Sequence, residues 1–167
     1  MTGMLGHPVA ENPIDRMFNA VYAHYRLPWQ FRKNDIATEA DLALAARALV
    51  PLGYRGMGIT VPYKVAVIAL LDAVDADVTA IGAAIYLTIE NGRLIGHNND
   101  GKGVVMLGAG GAGRAMAVQW ATVDPRCTVV DGVEMLVQLA MQIFQRWTGI
   151  TPEEAVFQQA VAEALGE

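Results

Sequence analysis

The run Gly108-Ala-Gly-Gly-Ala-Gly113 constrains this chain more than any other segment, because small residues in unbroken succession suit a tight connection between two elements. Val104 to Leu107 before it reads as a short strand, and Ala112 to Trp120 reads as the helix that follows. Gly108, Gly110 and Gly113 then satisfy the G-x-G-x-x-G pattern in the context that gives it physical content. Absent side chains let the backbone approach a pyrophosphate, whose charge the helix N-terminus stabilises. A strand-to-helix turn that needs only small residues is the other reading of the same run. Strands and helices alternate elsewhere too, so the fold class is α/β.

Upstream, Asn12-Pro13 reads as a helix start, with Ile14, Met17, Phe18, Val21, Tyr22 and Tyr25 at three-and-four spacing. Thr38 with Asp41 three residues on opens a second helix, which Pro51 stops. Residues 57–61 read as a short buried strand ended by Pro62, which has no amide hydrogen to donate. Val65 to Leu71 reads as a helix and Ala76 to Ile81 as another turn or two. Tyr86 to Glu90 and Arg93 to His97 flank Asn91-Gly92, the turn pair that supplies the positive φ angles of a tight hairpin. Val129-Val130 could form one more strand. Met135 to Trp147 is an amphipathic helix, and Thr151-Pro-Glu-Glu154 has the form of a capping box opening the last one.

With 167 residues and 53% hydrophobic content, the chain can bury one real core but not two complete ones. A formal charge of −5 and pI near 5.1 argue against a nucleic-acid partner. No apolar run approaches the roughly 20 residues of a membrane helix, and Met1 to Gly6 do not resemble a secretory leader. A cytoplasmic protein is therefore expected. The single cysteine, Cys127, excludes an internal disulfide and reads as a small buried residue. His7, His24 and His97 lack the paired spacing of a metal site, so no metal is expected and solvated or structural roles suit them.

Lys64 falls just past a strand end, and Asp100 follows the hairpin in Asn98-Asn-Asp-Gly101. Oxidising a secondary alcohol takes a hydride from carbon and a proton from the hydroxyl, so a lysine beside a carboxylate can orient the hydroxyl and relay its proton. The carboxylate stabilises the ammonium form and does not itself lower the lysine pKa. By spacing alone, a surface lysine and a turn aspartate are the simpler reading.

Three motifs in one order change that balance: Gly58-Ile-Thr-Val-Pro-Tyr-Lys64, Gly96-His-Asn-Asn-Asp-Gly101, and the closing segment Gly132 to Gly149 with Met135-Leu-Val137 and Trp147-Thr-Gly149. With the glycine run between them, the chain resembles the shikimate and quinate dehydrogenases. The resemblance implies a substrate-binding α/β domain over 1–103, a shortened Rossmann-like nucleotide segment over 104–131, and C-terminal helices over 132–167 that pack back on the first domain. It implies reversible NADP-linked oxidation of a hydroxyl on a shikimate- or quinate-type acid, with NAD not excluded. Lys64 and Asp100 would be catalytic; Thr60, Asn98 and Gln138 would contact substrate; Gly108, Gly110, Gly111, Gly113 and Arg114 would hold the pyrophosphate.

The departures from that pattern are specific. Where paired serines should bind the substrate carboxylate, this chain has Ala10-Glu-Asn-Pro13, and Glu11 would repel a carboxylate. Ile85 stands where an asparagine is expected and offers a ring hydroxyl no partner. The substrate-binding glutamine of the closing helix aligns with Leu139, although Gln138 is adjacent. Only Lys102 to Leu107 separates the aspartate loop from the glycine run, and the later strands of a nucleotide domain are missing. A degenerate, non-catalytic ligand-binding or regulatory protein, or an internally deleted chain without activity, are the alternatives. The expected partner is a small hydroxy acid, and apolar faces left by missing strands allow a homodimer.

Overall fold

The computed structural model describes residues 1–99 and 132–166. Asp100, the glycine run with Arg114, and the elements expected at 104–107, 112–120 and 129–130 lie outside the described residues.

Among the described residues, six strands form one mixed sheet: β1 (Thr2–Gly6), β2 (Phe31–Asp35), β3 (Gly56–Ile59), β4 (Ala73–Val74), β5 (Tyr86–Glu90) and β6 (Arg93–His97). Their order is β2-β1-β3-β5-β6-β4. β1 runs parallel to β2 and β3, β5 runs antiparallel to β3 and β6, and β4 pairs parallel with β6. Because β5 alone reverses, the C-terminal ends of β1, β3 and β6 meet the start of β5 along one edge. Ligand sites of open α/β sheets form beyond such strand ends.

Among the described residues, five α-helices cover the sheet: α1 (Ile14–His24), α2 (Glu39–Ala48), α3 (Ala76–Ile81), α4 (Gly132–Thr148) and α5 (Glu154–Leu165). Alternation along β1 sends Met4 into one core and Leu5 into the other, as the two-residue period of a strand requires. The first core joins Met4, Phe31 and Tyr86 to α1, α4 and α5; the second joins Leu5, Met57 and Leu87 to α2 and to Val67 and Val78. Phe18 of α1 organises the first core, stacking 4.8 Å from Phe31 and lying 5.5 Å from Trp147 and 6.2 Å from Phe157. Ring pairs of this kind contribute about 0.5–1.5 kcal/mol each beyond their buried area. The C-terminal helices thus share a core with the N-terminal sheet. No described helix is long and apolar enough to cross a membrane.

Local chemistry explains most of the boundaries. Asn12 accepts a hydrogen bond from the Ile14 amide at 3.0 Å as α1 begins. The Thr38 hydroxyl accepts from the Asp41 amide at 3.1 Å and donates to the Asp41 carboxylate at 2.7 Å, the box expected of α2. Asn91 and Gly92 carry φ of 52° and 75°, which gives the hairpin its tight turn.

Two expectations need correction. The helix expected over 65–71 is a 3₁₀ segment, Ala66–Leu70, in which only Val67 is buried. The box expected at Thr151 does not form: α5 begins after Glu153, no side chain caps it, and the Thr151 hydroxyl accepts from Gln145 Nε2 at 3.2 Å. The Glu153 amide instead donates to the Tyr25 hydroxyl at 2.8 Å, tying α5 to the end of α1. Strands β1, β2 and β4 were not expected from the sequence pattern.

Candidate functional site

Thr60, Lys64 and Asn98 are brought to the same edge of the sheet by short backbone links. The Thr60 amide donates to Leu5 O at 3.0 Å, continuing the β1–β3 ladder one residue beyond β3. A Cβ on Gly6 would overlap the Thr60 methyl, so the bare glycine at the end of β1 lets Thr60 sit against it. The Tyr63 amide donates to Thr60 O at 3.0 Å across the Thr60-Val-Pro-Tyr63 turn, whose Val61–Pro62 bond is cis. Tyr63 is buried and its hydroxyl donates to Ile36 O at 2.7 Å, which anchors the turn from below.

Lys64 is half-buried, and its carbonyl accepts from the Ala84 amide at 2.8 Å. One residue earlier, Ala83 O accepts from Asn98 Nδ2 at 2.8 Å. Consecutive residues of the lead-in to β5 therefore hold the lysine's backbone and the asparagine's side chain. Asn98 is 2% exposed, so its amide is fixed rather than solvated. The expected set Thr60, Lys64 and Asn98 converges; Asp100 and the glycine run with Arg114 fall outside the described residues.

Gln138 does not join this group. It is half-buried on α4 and does not line the cleft beside Asn98, whereas Gln142, one turn on, does. That cleft has a volume of about 650 Å³ and lies between α4, the start of α3 and the facing ends of β5 and β6. Asn99 Nδ2 donates to Gln142 Oε1 at 2.8 Å, bridging the asparagine segment to the closing helix. The Asn99 side-chain oxygen is buried without a donor among the described residues. Ile85 is buried in the first core, with no polar atom on its side chain to offer the site. Glu11 is exposed, and Lys33 braces its loop by donating to Ala10 O and Asn12 O at 2.7 and 2.9 Å.

The sequence pattern does not reveal a pair on the cleft wall, buried His97 with the partly exposed Asp75. His97 is 3% exposed, stacks on Tyr86 at 4.9 Å, and meets Asp75 Oδ2 through Nδ1 at 3.0 Å and the Thr88 hydroxyl through Nε2 at 2.9 Å. The carboxylate fixes the proton on Nδ1, so Nε2 accepts from Thr88. Asp75 also accepts from the Val78 amide at 2.8 Å and so caps α3 while orienting the imidazole. These residues are far apart in sequence, and no local pattern pairs them.

Burial pushes the His97 pKa below its ordinary value of 6.5; the Arg146 charge acts the same way, while Asp75 and the more distant Glu90 oppose it. Below the ordinary value the unfolded chain binds a proton that folded His97 refuses, so stability is full above about pH 6.5 and is lost as pH falls towards the depressed folded value. The urea midpoint is expected to drop between pH 7.5 and 5, and to drop less in His97→Gln. Equal slopes for the two proteins would show that His97 does not carry the effect.

Residues 4–85 match the shikimate dehydrogenase substrate binding domain. An NADP(+) shikimate dehydrogenase of Methanococcus maripaludis is 30% identical over 165 residues, covering 87% of this chain and 58% of that protein. The chain spans about half to three-fifths of the length of such relatives, 48% and 60% in two others. Among solved structures, shikimate 5-dehydrogenase of Thermus thermophilus, in complex with NADP(H) and shikimate, superposes with a TM-score of 0.78 at 20% identity, covering 98% of each chain. Ligand-free 5-ketofructose reductase of a Gluconobacter strain also gives 0.78, at 23% identity and 97% of each chain. On the matched segment and these relatives, the chain belongs to the shikimate dehydrogenase family.

Proposed function

We propose that this chain is an NADP-linked oxidoreductase that reversibly oxidises a ring hydroxyl of a shikimate- or quinate-type acid. The observation that carries the reading is the convergence of Thr60, Lys64 and Asn98 at one strand-end edge, inside a chain whose relatives are named NADP(+) shikimate dehydrogenases. In this reading Thr60 and Asn98 hold ring hydroxyls, and Lys64 with Asp100 takes up the proton as the hydroxyl becomes a ketone. NADP(+), when bound, supplies the hydride acceptor. The residues assigned to it, Gly108, Gly110, Gly111, Gly113 and Arg114, lie outside the described residues, so the geometry at hand is that of the substrate side.

Lys64 emerges from a backbone fixed at both sides, by the Tyr63 anchor below and the Ala84 amide beside it. A fixed backbone narrows where the half-buried Lys64 side chain can reach, which favours a productive approach to a substrate hydroxyl. Positioned proton transfer contributes typically about 10²–10⁴-fold to a rate.

Incubating the purified chain with NADP(+) and shikimate, and with quinate in parallel, is expected to give steady NADPH absorbance with one of the acids. Shikimate binding with no reduction of either nucleotide would instead support the non-catalytic ligand-binding reading. Absence of both would remove this proposal.

A further inference from the structure

Beside the expected substrate contacts, the cleft between α4 and the β5–β6 hairpin carries polar groups that the reaction described above leaves unused. Gln142 and Arg146 lie four residues apart on α4 and so project from one face into it. Gln142 Oε1 is committed to the Asn99 amide, which leaves both of its N–H groups outward. The Arg146 guanidinium has no hydrogen-bond partner among the described residues, yet its charge acts on Tyr86 and His97 at the cleft floor. Asp75 across the cleft has one carboxylate oxygen on His97 and the other on the Val78 amide, and Asp77 has a partner of its own.

On the α4 side Gln142 and Arg146 offer donors, with one full positive charge in a planar fork, while Gln145, which also lines the cleft, has its Nε2 on the Thr151 hydroxyl. That chemistry suits a carboxylate, which only accepts and which a guanidinium engages through two parallel bonds. The Asn99 side-chain oxygen adds a second, independent sign of a missing ligand. Asn99 is 7% exposed and that oxygen has no donor among the described residues, so a ligand hydroxyl is a group that would satisfy it. A carboxylate and a hydroxyl together describe a hydroxy acid.

We infer that Gln142 and Arg146 form the carboxylate-binding corner of the substrate site, so that a hydroxy acid is gripped from the closing helix. The inference rests on the reading under Proposed function for the identity of the acid, and deepens it by naming the residues that select for the carboxylate. Ala10 and Glu11 are not among the residues that line this cleft. Arg146 also adds a permanently charged cation on the closing helix, which helps a negatively charged chain to attract an anion.

The test is calorimetric titration of shikimate and of its methyl ester into the full chain, into Arg146→Met and into Arg146→Lys, with melting temperatures recorded for each. Arg146 is exposed, so the melting temperature should stay unchanged. Arg146→Met is expected to weaken shikimate binding by about 10- to 100-fold, the scale of a charge-assisted bidentate contact. Arg146→Lys should restore part of the loss, and the ester should bind all three proteins alike. Gln142→Leu should weaken the acid more than the ester. Unchanged affinity for shikimate in Arg146→Met overturns the inference and leaves the dehydrogenase reading intact. A chain that binds shikimate through Arg146 but never reduces NADP(+) keeps the anchor and removes the catalysis, whereas a chain that binds no shikimate removes both.

Discussion

Replacing Lys64 with Ala is expected to lower kcat/KM for the acid substrate by about 10²–10⁴-fold while leaving the melting temperature within a degree or two of the parent. The separation of effects follows from how the residue is built in. Its carbonyl accepts from the Ala84 amide at 2.8 Å, and a side-chain truncation leaves that backbone bond in place. The turn that presents it is anchored by Tyr63 and by the Thr60 amide, neither of which depends on the amine. Lys64→Arg is the informative companion: it keeps the charge but cannot give up a proton at ordinary pH, so binding should survive and turnover should not. Steady-state kinetics of both variants, with shikimate affinity measured separately, decide the matter. Turnover in Lys64→Ala equal to the parent would place the proton on another group.

The same edge of the sheet shows why part of the site was legible in sequence and part was not. Thr60, Lys64 and Asn98 follow short motifs set by a proline turn and a hairpin, and such local constraints survive in one dimension. Gln142 was also within reach: Leu139, Gln142 and Arg146 are three and seven apart, hence on one helical face. Gln138 is adjacent to Leu139 in sequence, but adjacency on a helix means a rotation of about 100°, and Gln138 does not line the cleft that Gln142 lines. The Asp75–His97 pair could not be read at all, because it forms only when β6 closes beside the start of α3.

Fold elements divide in the same way. α1, α2, α4 and the β5–β6 hairpin announce themselves through caps, apolar stripes and an Asn-Gly turn. β1 escapes because Thr2-Gly-Met-Leu-Gly6 is buried on both faces and shows no alternation. β2 escapes for the opposite reason. Phe31-Arg-Lys-Asn-Asp35 is an edge strand with only Phe31 buried, and its register is fixed by backbone pairing with β1. The 3₁₀ segment after Pro62 reads as a helix because its composition is apolar, but only Val67 finds a core to enter.

Trp147→Ala is expected to cost about 3–5 kcal/mol of folding stability, the largest effect expected of any single substitution named for this chain. Trp147 is 7% exposed at the end of α4 and lies 5.5 Å from the ring of Phe18 and 6.3 Å from that of Phe31. Its indole N–H donates to Leu87 O at 3.0 Å, so one side chain joins the closing helix to both α1 and the middle of the sheet. The sheet accommodates it with Gly56: a Cβ at that position would overlap the indole, so β3 offers bare backbone where the ring lies flat. Truncation therefore removes three kinds of contact at once and leaves a cavity that the glycine floor cannot fill. Trp147→Phe is the milder change, since it keeps an aromatic ring in the cluster and removes the hydrogen bond, worth about 0.5–1.5 kcal/mol net, together with part of the ring volume. Because domains of this size are stable by only about 5–15 kcal/mol, the alanine variant should show a large fall in urea midpoint at an unchanged m-value. Helix α4 also carries Gln142 and Arg146, so the same variant should weaken shikimate binding before the chain unfolds. A Trp147→Ala protein with the parent's midpoint would mean that α4 is held to the sheet by other contacts, and that its register over the cleft is not set by this ring.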